Sequence, residues 1–145
     1  MSEKIIVGSD GSDTAKHAVD EAVRIAKALG AEVHVVMSNK SLRDARVVGA
    51  PEGAKPVYGN MQEGVGHAIV DEAVAGARIA GLQAEGHVVD DRDPADALLK
   101  VADEVGGSMI VVGNKGMSGG RRLLGSVPNK VSHEAKCNVL IVATK

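Results

Sequence analysis

Lys4-Ile5-Ile6-Val7-Gly8-Ser9-Asp10-Gly11-Ser12 opens the chain with an apolar run that breaks at once into turn residues. β-Branched residues crowd the run and Gly, Ser and Asp stop it, as in a short strand buried on both faces. The period then changes. Ala15, Ala18, Val19, Ala22, Val23, Ala26 and Leu29 recur at helical spacing across 13–29, and Gly30 closes the series. A strand that needs cover on both sides, followed by an amphipathic helix, is the first half of a βαβ unit.

The alternation continues outward from that unit. Residues 32–37 read as a second strand, 83–89 as a third, 108–112 as a fourth and 138–143 as a fifth. Between them, 61–80 reads as a helix through Val65, Ile69, Ala73 and Ala77, with Val70 and Val74 widening its apolar face and Gly81 ending it. Residues 93–105 read as a helix with Asp93 as N-cap and Pro94 at its first position. Residues 126–135 read as a short helix with Ser126 as N-cap, and 38–60, carrying Pro51, Gly53, Pro56 and Gly59, as a long loop. The expected architecture is α/β: one domain over 1–145, built on an open, doubly wound parallel sheet of five strands.

Composition narrows the function. A chain of 145 residues buries enough surface to hold a core without a metal or disulfide, and the single Cys137 can form no intramolecular bridge. A net charge of -2 argues against a general nucleic-acid binder. No apolar run approaches the roughly 20 residues of a membrane-spanning helix. Ile5-Ile6-Val7 is too short for the apolar region of a secretory signal, so a soluble protein of the cytoplasm is expected. Tyr58 is the sole aromatic residue, which removes the usual stacking platform for single-stranded nucleic acid. A nucleobase would have to lie between aliphatic side chains.

In open α/β sheets ligands bind beyond the carboxyl ends of the strands, where strand order reverses. Two strand ends carry suitable residues. The first runs into Gly8-Ser9-Asp10-Gly11-Ser12. The fourth runs through Val112 into Gly113-Asn114-Lys115-Gly116-Met117-Ser118-Gly119-Gly120-Arg121-Arg122-Leu123-Leu124-Gly125-Ser126. Glycines let successive N–H groups turn inward around an anion, and the helix that follows adds unpaired amides and the positive end of its dipole. Lys115, Arg121 and Arg122 add formal charge, so the loop suits phosphate.

Sharper motifs fail against this loop. Gly120 to Ser126 has Walker-like spacing but lacks the lysine. Gly116-Met117-Ser118-Gly119-Gly120 matches a nucleophile elbow, yet Ser118 lies well past the strand and no acid separates it from His133. Ser9-Asp10-Gly11-Ser12-Asp13-Thr14 faintly resembles a pyrophosphatase loop, but Asp10 would repel phosphate; it suits a base or ribose hydroxyl, or a turn. His17, His34, His67, His87 and His133 show no metal-ligand spacing, so no metal site is expected; His34, mid-strand, reads as a hydrogen-bonded structural histidine. Cys137 reads as a small buried hydrophobe, and no residue is assigned a catalytic role.

Taken together, the two strand ends resemble those of the universal stress protein family. The likeness is carried by Ile5-Ile6-Val7-Gly8-Ser9-Asp10-Gly11-Ser12, by Val111-Val112-Gly113-Asn114-Lys115-Gly116, and by Gly125-Ser126-Val127-Pro128 with Val139-Leu140-Ile141-Val142. It implies a Rossmann-like sheet in the order 3-2-1-4-5, which brings Asp10 and Gly113 to one crevice. It further implies an adenine nucleotide site: Gly8, Ser9 and Asp10 on the adenine or ribose side, with backbone contacts from Met37 or Ser38. Gly113 and Gly116 would approach ribose and phosphate, with Val112 and Asn114 also counted among the nucleotide-binding residues, and Gly125, Ser126 and Val127 would receive phosphate. A homodimer through 139–142 is implied as well, and an exposed edge strand has a physical reason to pair. The nucleotide-binding members carry G-x2-G-x9-G-[ST], whereas eight residues separate Gly116 from Gly125 here. That shorter span makes AMP or cyclic AMP a competitor to ATP with Mg²⁺. The function expected is nucleotide binding in stress response or signalling without efficient catalysis. A slow ATPase or nucleotidyl-transferring enzyme using Asp10 or Asp13, and a dimeric module that has lost its ligand, are the alternatives.

Overall fold

Strand β1 (Lys4–Gly8) occupies the centre of a five-stranded sheet because neither of its faces tolerates water: Ile5, Ile6 and Val7 are all fully buried. Each such side chain contributes about 1.5–3 kcal/mol by leaving water. The computed structural model describes residues 3–38, 59–90, 92–114 and 125–143, with side chains from residue 65 onward in its second helix. Its remaining elements are α1 (Asp13–Leu29), β2 (Glu32–Ser38), α2 (Gly59–Ile79), β3 (Ala84–Val89), α3 (Pro94–Val105), β4 (Met109–Gly113), α4 (Ser126–Glu134) and β5 (Asn138–Val142).

All strand pairs are parallel, in the order β3-β2-β1-β4-β5. The chain moves outward from β1 through β2 to β3, then crosses back to place β4 on the other side of β1. The order reverses between β1 and β4, which opens a crevice at their carboxyl ends.

Strand alternation divides the core in two. Ile5, Val7, Val33, Val35, Met37 and Val111 face one side, where Ala18, Ala22 and Ala26 of α1 and Val70, Val74 and Ala77 of α2 cover them. Ile6, Val36, Ile110 and Val112 face the other, against Ala97, Leu98 and Val101 of α3 and Val131 of α4. Alanines on α1 let the helix lie close to the sheet. On β3 the close approach falls to Gly86, where a Cβ would stand 2.2 Å from Val70 Cγ1 of α2. Among these buried residues no aromatic ring occurs; the packing is aliphatic, with Met37 the largest flexible filler.

The elements agree with the sequence reading in kind and order, and differ at their ends. The stretch read as a loop from 38 to 60 gives up its last two residues to α2, which begins at Gly59. The first turn of a helix needs no intrahelical partner for its amides, so a glycine can open it. Residues 39–58 lie outside the described residues. Ser126 is the first residue of α4 and not its cap; Gly125 takes the extended cap conformation (φ -60, ψ 164) without a side-chain bond. Asp93 does precede α3, again without a side-chain cap bond, while Pro94 opens the helix as expected.

Candidate functional site

The crevice between β1 and β4 is a cleft of about 670 Å³. On its first wall, the chain leaves β1 through Gly8 and Ser9. Ser9 is buried; its amide donates to Val36 O at 2.9 Å and its Oγ accepts from Gly11 N at 3.3 Å. Asp10 is exposed, and its Oδ1 accepts from Ser12 N at 2.9 Å. Ser12 in turn caps α1, its Oγ accepting from Ala15 N at 3.2 Å. Asp10 therefore shapes the turn, and it also lines the cleft.

Met37 and Ser38 bring the end of β2 to the same cleft. The Ser38 hydroxyl donates to the Arg92 carbonyl, so it ties β2 to the segment entering α3. The opposite wall is Val112 and Gly113 of β4, then Gly125, Ser126 and Val127 at the start of α4. Asn129 N donates to Gly125 O at 3.1 Å, and Pro128 has no N–H. Ser126 and Val127 thus supply the two amides at the opening of this helix, with the positive end of its dipole behind them.

Gly8, Ser9, Asp10, Met37, Ser38, Val112, Gly113, Gly125, Ser126 and Val127 are all brought to one cleft. Asn114 is not in its wall; its amide donates to Val142 O at 3.0 Å and prolongs the β4–β5 ladder. Gly116 lies outside the described residues, as do Lys115, Arg121 and Arg122. Sequence reasoning missed the apolar lining between the walls: Thr14, Ala15 and Ala18 of α1, Val36, and Pro94 with Leu98 of α3. Helical spacing held the signal, since Ala18 lies i+4 from Thr14 and Leu98 lies i+4 from Pro94. Leu98 is held against the sheet beside Gly8, where a Cβ would meet its methyls at 3.4 Å. Among the described residues of the wall, Asp10 alone carries a formal charge. The arrangement offers apolar faces, a carboxylate acceptor and the two amides at the start of α4, which is chemistry for holding a ligand.

Two other groups behave differently from the sequence expectation or extend it. His34 is buried and hydrogen-bonded, but its partner is a second histidine: Nδ1 lies 2.9 Å from His87 Nε2 across the β2–β3 seam. Burial, with the neighbouring His34, holds the His87 imidazole below its ordinary basicity. Cys137 is half-buried beside the second core, and burial pushes its thiol up, away from nucleophilic use. Among the described residues no helix is long and apolar enough to cross a membrane.

The comparisons with known proteins bear on the family and the fold. The model of the universal stress protein family matches residues 1–143. Universal stress protein Rv1636 of Mycobacterium tuberculosis is 37% identical over 148 residues, covering 97% of this chain and 95% of its own. Among solved structures, a universal stress protein in complex with cAMP is 36% identical with a TM-score of 0.72, covering 99% of this chain and 98% of its own. The Archaeoglobus fulgidus universal stress protein in complex with dAMP is 26% identical with a TM-score of 0.70, covering 96% of each chain. A parallel sheet in the order 3-2-1-4-5, a cleft at its switch point and a family match over nearly the whole length lead to one assignment: the chain belongs to the universal stress protein family.

Proposed function

We propose that the chain binds an adenine nucleotide in the cleft between β1 and β4 and acts in stress response or signalling as a binding protein, without efficient catalysis. The observation that carries the proposal is the pairing of two walls. One brings Asp10 as an acceptor; the other brings Gly113 and the amides of Ser126 and Val127. The cleft's volume of about 670 Å³ lies within the roughly 300–1,000 Å³ usual for small-molecule sites. The cAMP and dAMP complexes of related proteins support the same class of ligand.

Both of those ligands carry a single phosphate. Two helix-start amides suit one phosphate better than three, and the short Gly116-to-Gly125 span points the same way. The preferred ligand is accordingly AMP or cyclic AMP, ahead of ATP with Mg²⁺. A homodimer formed through β5 completes the reading, because β5 is an edge strand with half-exposed apolar residues.

Calorimetry with cyclic AMP, AMP, and ATP with and without Mg²⁺ tests the proposal on the intact chain. Binding at one site per chain is expected, and no heat with any of them at millimolar concentration would end it. Gly113→Val, which puts a branched side chain into the cleft wall, is expected to abolish binding while the circular dichroism spectrum stays unchanged. Retained affinity would move the ligand elsewhere.

A further inference from the structure

Away from the cleft, on the face of the sheet shared with α3, β2 and β3 bring three metal-ligating side chains together. The parallel register sets His34 opposite Glu85 and Val36 opposite His87, so all four point to one side. The Nδ1 of His34 lies 2.9 Å from Nε2 of His87 and 3.7 Å from Oε2 of Glu85. One atom from each of the three residues falls within a span of 4.8 Å. On the far side of the same ring, His34 Nε2 is buried and makes no hydrogen bond, although Glu32 Oε1 stands 3.3 Å away.

We propose that His34, Glu85 and His87 form a binding site for a divalent cation of the zinc class, with Glu32 as the carboxylate that orients His34. Two imidazoles and a carboxylate are a donor set for a borderline first-row ion, and they leave a fourth position for water. The spacing is close to what such an ion requires. At bond lengths of about 2.0–2.1 Å, two nitrogens on a tetrahedral ion stand roughly 3.3 Å apart. The present 2.9 Å between the two rings has to open by only about 0.4 Å, and the 3.7 Å to Glu85 has to close by a similar amount.

The Nε2 of His34 supplies the independent observation. A metal-bound imidazole donates its other N–H to a carboxylate, which fixes the tautomer. Coordination through Nδ1 puts the proton of neutral His34 on Nε2, and Nε2 faces Glu32. In the fold as it stands, one proton is shared between the two rings at the Nδ1–Nε2 contact, and His34 Nε2, buried, makes no hydrogen bond although Glu32 stands beside it. Exposure is graded suitably: His34 is buried, Glu32 and His87 are partly covered, and Glu85 is open to solvent. An ion can therefore enter from the Glu85 side while His34 stays fixed in the sheet.

Titration of the metal-free chain with zinc, followed by calorimetry, and with cobalt, followed by its visible absorption, tests the site. One ion per chain and a cobalt spectrum of four-coordinate form are expected. His87→Gln and Glu85→Gln, both at the solvent side, are expected to weaken zinc by at least about tenfold, since loss of an outer partner alone costs that much. Glu32→Gln is expected to weaken it by about tenfold while keeping the cobalt spectrum. His133→Gln, on α4, is expected to change nothing. Absence of binding at 100-fold molar excess of zinc would overturn the site, as would unchanged affinity in both His87→Gln and Glu85→Gln. The nucleotide cleft uses other residues, so either result leaves the nucleotide proposal to its own test.

Discussion

Gly11 holds φ at +82° in the turn after β1, and a Cβ there would stand 3.0 Å from Ile69 Cδ1. A side chain meets two penalties at once, left-handed strain and contact with α2. Gly11→Ala is expected to lower stability by roughly 1–2 kcal/mol, the cost of the backbone conformation alone, read as a shift of the urea midpoint. An unshifted midpoint would mean that the turn relaxes freely. At this scale the sequence was informative wherever a residue's role is local. Gly8, Ser9 and Asp10 end a strand and begin a turn, and both facts are written in their neighbours. The meeting of His34 with Glu85 and His87 is not local. It depends on the register of β2 against β3, which no nearby residue declares.

At the scale of elements, the start of α4 carries the sharpest consequence. Ser126 is the first helical residue, and Gly125 before it is extended, at φ -60 and ψ 164. That is the backbone that proline accepts at a first helical position and imposes on its predecessor. Ser126→Pro should therefore preserve the helix and delete one of two amides. Loss of one hydrogen bond to a charged group, about 1.5–3 kcal/mol, corresponds to at least a tenfold weaker cyclic AMP affinity by calorimetry. Unchanged affinity would remove α4 from phosphate recognition. Strand and helix identities were legible because short continuous apolar runs alternate cleanly with stretches of 3.6-residue period along the chain. The cap at Gly125 was less so, because serine is the stronger capping residue and only the folded backbone shows that Ser126 has already turned into the helix.

Across the whole molecule, the alternation of strands and helices and their continuous apolar strands identify a doubly wound sheet, whereas strand order entered through family likeness. Right-handed crossovers restrict the possible orders without choosing one. With β5 at the edge, sedimentation is expected to show a two-chain particle. Asn138→Lys, which sets a charge at the exposed start of that strand, is expected to shift it to a single chain with the circular dichroism unchanged. A wild-type single chain would remove β5 as an interface. The aliphatic packing of the two cores has a further consequence, which is optical. With Tyr58 as the sole aromatic residue, the protein itself is almost transparent in the near ultraviolet. Any purine carried through purification would dominate that spectrum, so the ratio of absorbance at 260 nm to that at 280 nm becomes a label-free gauge of occupancy, legible on the first column fraction.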